Sequence, residues 1–210
     1  MTAISHQKRS DEQIGAGQTS AVQTSAAPTG AVDAETTSQR WFRYVAAATR
    51  ISLGWIFLWA FLDKTFALGH DTGINAKTGA TDTFGPAAWI HGGSPTKGFL
   101  AFGTKGPLAD FYGNLAGNPI VDWLFMLGLL GIGTALILGI GMRIAATAGA
   151  ALLVMMFTAV LPPANNIFMD DHIIYALVLV MLALAGAGKT FGLGNRWEQI
   201  PAVRDHAILK

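Results

Sequence analysis

WLFMLGLLGIGTALILGIGM, residues 123–142, is an apolar run of 20 residues, and at 1.5 Å per residue a helix of that length covers about 30 Å, the hydrocarbon thickness of a bilayer. Arg143 interrupts it. IAATAGAALLVMMFTAVL then continues over 144–161 until Pro162 and Pro163 halt it. Upstream, Tyr44 to Leu62 is apolar apart from Arg50 and a few small hydroxyl residues, and reads as another span. Downstream, Asp170, Asp171 and His172 precede a shorter apolar stretch from Ile173 to Gly188. That stretch suffices if the bilayer thins locally or its polar flanks snorkel. The fold class expected is therefore an all-α integral membrane protein. Its core would be a four-transmembrane-helix bundle with helices at about 44–66, 121–142, 144–161 and 171–188, and a long outer loop over 69–119 containing short helices.

Composition agrees. Of 210 residues, 51% are hydrophobic and 13% charged, too apolar a balance for a soluble domain of this size. There is no cysteine, which excludes disulfides, thiolate metal sites and thiol relays carried by this chain. Redox chemistry would have to borrow its electron carrier. A formal charge of +1 gives no argument for nucleic acid, which is not expected as a partner.

Residues 1–40 are rich in Ser, Thr, Gln, Ala and Gly, with no aromatic before Trp41, and are expected to form a disordered cytoplasmic tail. Lys8 and Arg9 are followed by Asp11, Glu12 and Gln13 where a signal peptide needs an apolar run, so none is expected. Residues 194–210 are expected to be a second cytoplasmic tail. With both ends inside, Lys8, Arg9, Arg40, Arg43, Arg143, Lys189, Arg196, Arg204 and Lys210 are cytoplasmic, against Lys64, Lys77, Lys97 and Lys105 outside. The positive-inside rule favours that orientation, in a bacterial-type plasma membrane crossed several times.

Small residues recur at four-residue spacing, Gly131, Ala135, Gly139 and then Gly141, Ala145, Gly149, as at close helix crossings. In the outer loop, Ser94-Pro95 reads as a helix opening that runs through Phe99 and Phe102, and a second short helix is expected over Pro107 to Leu115. The loop aromatics Phe84, Trp89, Phe111 and Tyr112 suit a membrane surface or an ordinary folded loop equally.

Arg50 and Lys64 lie fourteen residues apart and so fall within about 40° on a helix, with Gly54, Phe57 and Phe61 on the same stripe. Each is either functional or snorkelling to its nearer interface. Asp63 falls on another face and reads as an interfacial charge. Asp122-Trp123, Asn165-Asn166 and Asp170-Asp171-His172 form a polar rim on the side of Lys64. Helix capping explains Asp122 and Asp170. Asp171 and His172 are better candidates for chemistry, because an imidazole titrating near neutrality beside a carboxylate exchanges protons. The candidate catalytic residues are thus Lys64, His172 and Asp171, and the candidate substrate- or quinone-binding residues are Arg50, Lys64, Trp123 and Asn166. The scattered histidines and the absence of a paired-histidine helix give no expectation of metal or haem.

The segment Arg50-Ile51-Ser52-Leu53-Gly54-Trp55-Ile56-Phe57-Leu58 through Lys64 and Phe66, the Gly141-Met142-Arg143 turn, and Gly186-Ala187-Gly188-Lys189 with Gly192-Leu193 resemble the DoxX/DoxD-like membrane proteins. The resemblance covers Arg50 to Leu193, within a membrane domain of residues 41–193, and the long outer loop with Gly93-Ser94-Pro95-Thr96 is more similar to the DoxD type. It implies a four-helix membrane bundle. It also implies the large subunit of a thiosulfate:quinone oxidoreductase, with quinone as electron acceptor, the lipid bilayer as environment and a second small membrane or periplasmic subunit as partner. The alternative it carries is a non-catalytic membrane anchor or scaffold subunit of a redox or stress-defence complex.

Overall fold

The first long helix begins earlier than its apolar stretch. Thr36 closes a capping box: its hydroxyl accepts from the Gln39 N–H at 3.2 Å, and the Gln39 side chain accepts from the Thr36 N–H at 2.8 Å. Helix α1 accordingly runs Thr37–Phe66, and the last residues of the stretch read as tail are helical. The computed structural model describes residues 35–75 and 77–210; the rest of the expected tail lies outside the described residues.

The connection after α1 folds back on its end. Phe84 N–H donates to Phe66 O at 2.9 Å, Asp82 N–H to Gly73 O at 2.8 Å, and Ile74 bridges Thr81. The helix expected from Ser94 forms as a tight turn, with Ser94 Oγ accepting from the Lys97 N–H at 3.2 Å, which widens into a π turn at Phe99–Gly103. A 3-10 turn at Gly106–Leu108 leads into α2, Ala109–Gly113.

α3 is Pro119–Leu138, its first turn capped by Asn118, whose side chain accepts from the Ile120 N–H at 2.9 Å. α4 is Met142–Ala159 and α5 is Asp171–Leu184. α3 stops short of Met142 because Gly139 (φ 71) and Gly141 (φ 55) take left-handed backbone and reverse the chain. α5 stops short of Gly188 for the same reason at Gly186 (φ 63). The chain then winds through α6, Gly194–Trp197, and α7, Pro201–Arg204. Its last residues dock beside the start of α4, where Arg143 donates to Ala207 O at 3.0 Å and Trp197 Nε1–H donates to Leu209 O at 2.6 Å. Among the described residues the regular structure is helical, with no strand.

α1 packs on α3, α3 on α4, and α4 on α5. Leu53, Phe57, Met126, Ile132, Leu136, Leu153, Leu179 and Leu182 from these helices meet in one buried core. The outward faces are apolar too: Trp55 and Ile56 on α1, Leu124 and Leu127 on α3, Val154 and Met155 on α4, and Leu177 and Leu184 on α5 are all exposed. Helices that are hydrophobic all round belong in lipid. α1, α3 and α4 are long and apolar enough to cross a membrane; α5, with 14 residues, is shorter.

In lipid the helices gain little from burial as such, so backbone proximity decides packing. α1 and α3 approach closely at Gly54 and Gly133. A Cβ on Gly133 would stand 2.7 Å from the Leu58 backbone nitrogen, and one on Gly54 would stand 2.9 Å from Leu136 Cβ. Of the small-residue series read from spacing, Gly149 does meet Leu179, Ile132 and Phe57, but Gly131 has nothing within 4 Å, and Gly139 and Gly141 make the turn. Gly133→Ala should therefore destabilise the protein by about 1–3 kcal/mol through overpacking. Gly131→Ala should be neutral or stabilising by up to about 1 kcal/mol through helix propensity. Thermal melting in detergent compares the two.

Candidate functional site

Two ends follow from the alternation of the long helices. The terminal end gathers the start of α1, the Gly139–Gly141 turn and the segment after α5. The loop end gathers the residues between Phe66 and Pro119 and those between Ala159 and Asp171.

Arg50 lies toward the terminal end and is fully buried. Its guanidinium donates to the carbonyls of Leu136 and Ile137 (3.0 Å) in the last turn of α3, and to those of Thr190 (3.2 Å) and Phe191 (2.9 Å) after α5. Carbonyls at a helix C-terminus lack intrahelical partners and carry the negative end of its dipole, so a cation is the complementary group. Gly139, Gly188 and Gly192 let the backbones close around it; a Cβ on Gly139 would stand 2.8 Å from the Arg50 terminal nitrogen. Only Nε is without a partner. Arg50 does not snorkel: it clasps two elements together.

Asp63 and Asp122 do related work at the loop end. The Asp63 carboxylate, 2% exposed, accepts from the backbone N–H groups of His70 (3.1 Å), Asp71 (3.0 Å) and Thr72 (2.9 Å). The interfacial charge expected there is a loop anchor. Asp122 is buried rather than a cap; it accepts from Ser94 Oγ at 3.0 Å and from the Thr96 hydroxyl and N–H. Asn118 is the cap of α3 instead.

One cavity at the loop end collects groups able to do chemistry. Its volume is about 620 Å³, and Lys105, Asn165, Asn166, Asp170, Asp171 and His172 line it together with the apolar Val160, Pro163, Met169 and Ile174. Asp170 caps α5, accepting from the His172 N–H at 3.0 Å, and its other oxygen lies 2.8 Å from His172 Nδ1. A carboxylate only accepts, so Nδ1 carries the hydrogen and Nε2 is the atom left to exchange protons. The pair is partly open, at 25% and 19% exposure of the two side chains. Lys105 arrives because its N–H bonds Ala159 O at 2.8 Å, tying the outer loop to the end of α4.

Of the residues singled out from sequence, His172, Asp171 and Asn166 meet in this cavity. Trp123 packs edge-on against Trp89, with ring centroids 4.6 Å apart. Arg50 and Lys64 are about 21 Å apart along α1, and neither lines the cavity. Among the described residues no hydrogen bond or ion pair holds Lys64, and no three His, Asp or Glu side chains converge as metal ligands would. The sequence reads Asp170 as a cap alone and does not single out Lys105 beyond its outer position. The spacing that marks Asp170 as a cap also puts its second oxygen on His172, whereas no local pattern points to Lys105.

No protein-family profile, curated protein or solved structure matches the chain.

Proposed function

We propose that the chain is a DoxX/DoxD-like membrane subunit that crosses the bilayer four times with both ends cytoplasmic, and that its loop-end cavity serves a quinone-linked oxidoreductase as the place where protons reach the quinone. The observation that carries this reading is the Asp170–His172 pair on a cavity that is part polar and part apolar. The volume of about 620 Å³ suits a substituted ring. Met169, Ile174 and Val160 offer the ring an apolar wall, and Asn166 and Lys105 offer donors to ring oxygens. Reduction of a quinone takes up two electrons and two protons. As the imidazolium, with hydrogens on both nitrogens, His172 passes its Nε2 proton to a ring oxygen and regains it from water at the mouth of the cavity, while Asp170 holds the Nδ1 hydrogen. The second proton comes from water and both electrons from the donor on the partner subunit.

A sulfur dianion such as thiosulfate is less well served by this cavity, where two carboxylates stand against Lys105. The reading therefore assigns the cavity to the acceptor and leaves the donor to a partner subunit. The membrane reading is supported by the apolar outer faces of the helices and by the division of charge. Arg40, Arg43, Arg143, Lys189, Arg196, Arg204 and Lys210 lie at the terminal end, against Lys64, Lys77, Lys97 and Lys105 at the loop end.

Because the chain has no cysteine, Lys97→Cys and Asn195→Cys give a clean test of the crossing pattern. An impermeant thiol reagent on whole cells should label the first and not the second. Labelling of the second alone would reverse the orientation, and equal labelling would break the even number of crossings.

A further inference from the structure

Among the described residues the two most exposed large apolar side chains are Ile167, at 90%, and Phe102, at 86%. They belong to loops far apart in sequence, yet each stands one residue from the wall of the loop-end cavity. Gly103, after Phe102, lines it, and so do Asn166 and Met169, on either side of Ile167 and Phe168. Phe168 is exposed as well, and its N–H donates to Asn166 Oδ1 at 3.3 Å, a side-chain turn that bends the chain at Ile167.

The end of α4 fixes the depth of both loops. α4 has 18 residues, about 27 Å of helix, so its last turn lies near the edge of the hydrocarbon. Lys105 N–H donates to Ala159 O at 2.8 Å, and Gly106 packs on the Leu161 carbonyl, which holds the Phe102 loop at that edge. The Tyr112 hydroxyl meets the Thr158 hydroxyl at 2.7 Å and sets the exposed Phe111 at the same level. For the Ile167 loop the depth follows from register. Gly149 of α4 packs against Leu179 of the antiparallel α5, and about ten residues on from each, at equal rise, Ala159 stands level with Met169.

Phe102, Phe111, Ile167 and Phe168 therefore share one depth, and the exposed Ile174 and Leu177 of α5 carry the apolar surface on from there toward the middle of the bilayer. Around a membrane-spanning chain that depth holds the headgroups and first acyl carbons, where apolar and aromatic side chains settle. The polar neighbours fit it too. Lys105, Asn165 and Asp171 are exposed beside the cavity, within reach of headgroup water.

We propose that Phe102, Phe111, Ile167 and Phe168 insert into the headgroup–acyl boundary of the leaflet at the loop end, so that the cavity opens toward lipid along this rim and takes its ligand from the membrane. The inference deepens the reading above by naming the class of ligand, a molecule dissolved in the bilayer. It rests on the membrane-spanning part of that reading and not on the chemistry at His172.

The test places a nitrobenzoxadiazole dye on Phe102→Cys, Ile167→Cys, Lys97→Cys or Leu127→Cys in the full chain, reconstituted in phosphatidylcholine vesicles. All four positions are exposed, so the dye displaces no packing. Lipids spin-labelled near the headgroup or deep in the acyl chain quench dyes inside the membrane, and iodide on both sides quenches those in water. The dyes at 102 and 167 should be quenched most by the shallow spin label and little by iodide, the dye at 127 most by the deep label, and the dye at 97 most by iodide. Iodide quenching at 102 and 167 as strong as at 97 overturns the proposal. Quenching there by neither agent means that protein covers the rim, and overturns it as well. Iodide quenching at 127 would instead bring down the membrane-spanning reading on which the proposal rests.

Discussion

Arg50→Ala should destabilise the protein by at least about 3 kcal/mol, the largest effect of any single side chain. Hydrogen bonds from a charged donor contribute about 1.5–3 kcal/mol each, and truncating a buried one leaves its acceptors unpaired. Here the acceptors are carbonyls on α3 and on the segment after α5, which the guanidinium bridges beside the backbone bond from Leu193 N–H to Leu138 O at 2.8 Å. The glycines packed around it leave no side chain to take its place. Arg50→Lys should recover only part of the loss, because one ammonium cannot span both elements as a planar fork does. Denaturant titration of the detergent-solubilised protein measures the difference. Wild-type stability in Arg50→Ala would mean that water or a shifted turn satisfies those carbonyls equally well.

Asp63→Ala should come second, at about 3 kcal/mol, and its effect should be local. Three backbone N–H groups of one turn lose their common acceptor, and a charged acceptor makes the stronger bonds. Hydrogen exchange should accelerate at His70, Asp71 and Thr72 and spread to Asp82 and Phe84, whose backbone bonds close the same loop. Amides in α3 and α4 should stay protected. Asp63→Asn should be intermediate: its amide oxygen accepts from one side of the turn while its nitrogen opposes the other. Unchanged exchange at the turn in Asp63→Ala would show that the loop holds itself.

The apolar runs made the long helices readable because length and hydropathy act locally. The helical wheel sets Arg50, Gly54 and Phe57 on one face of α1, which is buried, but it sets Lys64 there too, which is not, and it leaves Arg50 between a functional and a snorkelling reading. What Arg50 touches was not readable. Its acceptors are backbone carbonyls far along the chain, and any residue type supplies those. Asp63 and Asp122 escaped for a related reason. A helical wheel assigns each a face, but the loops that fold onto them carry no periodicity. The ends of α3 and α5 fell to left-handed glycines, which look the same in sequence as packing glycines until the backbone is seen. Within the candidate site, Asp170 through His172 was legible as one local motif, whereas Lys105 belongs to it only through its loop's bond to Ala159.

The central claim is that the loop-end cavity delivers protons to a quinone, and the direct measurement is thiosulfate-driven quinone reduction in membranes that contain the protein with its neighbouring subunits. Variants are compared at equal expression. His172→Ala should lower the rate by about 10² or more, the usual contribution of a positioned acid. Lys105→Ala should lower it less, and Lys64→Ala, outside the cavity, should stay near wild type. No quinone reduction by the wild type, or a His172→Ala rate equal to it, would contradict the account and leave the chain as a membrane scaffold.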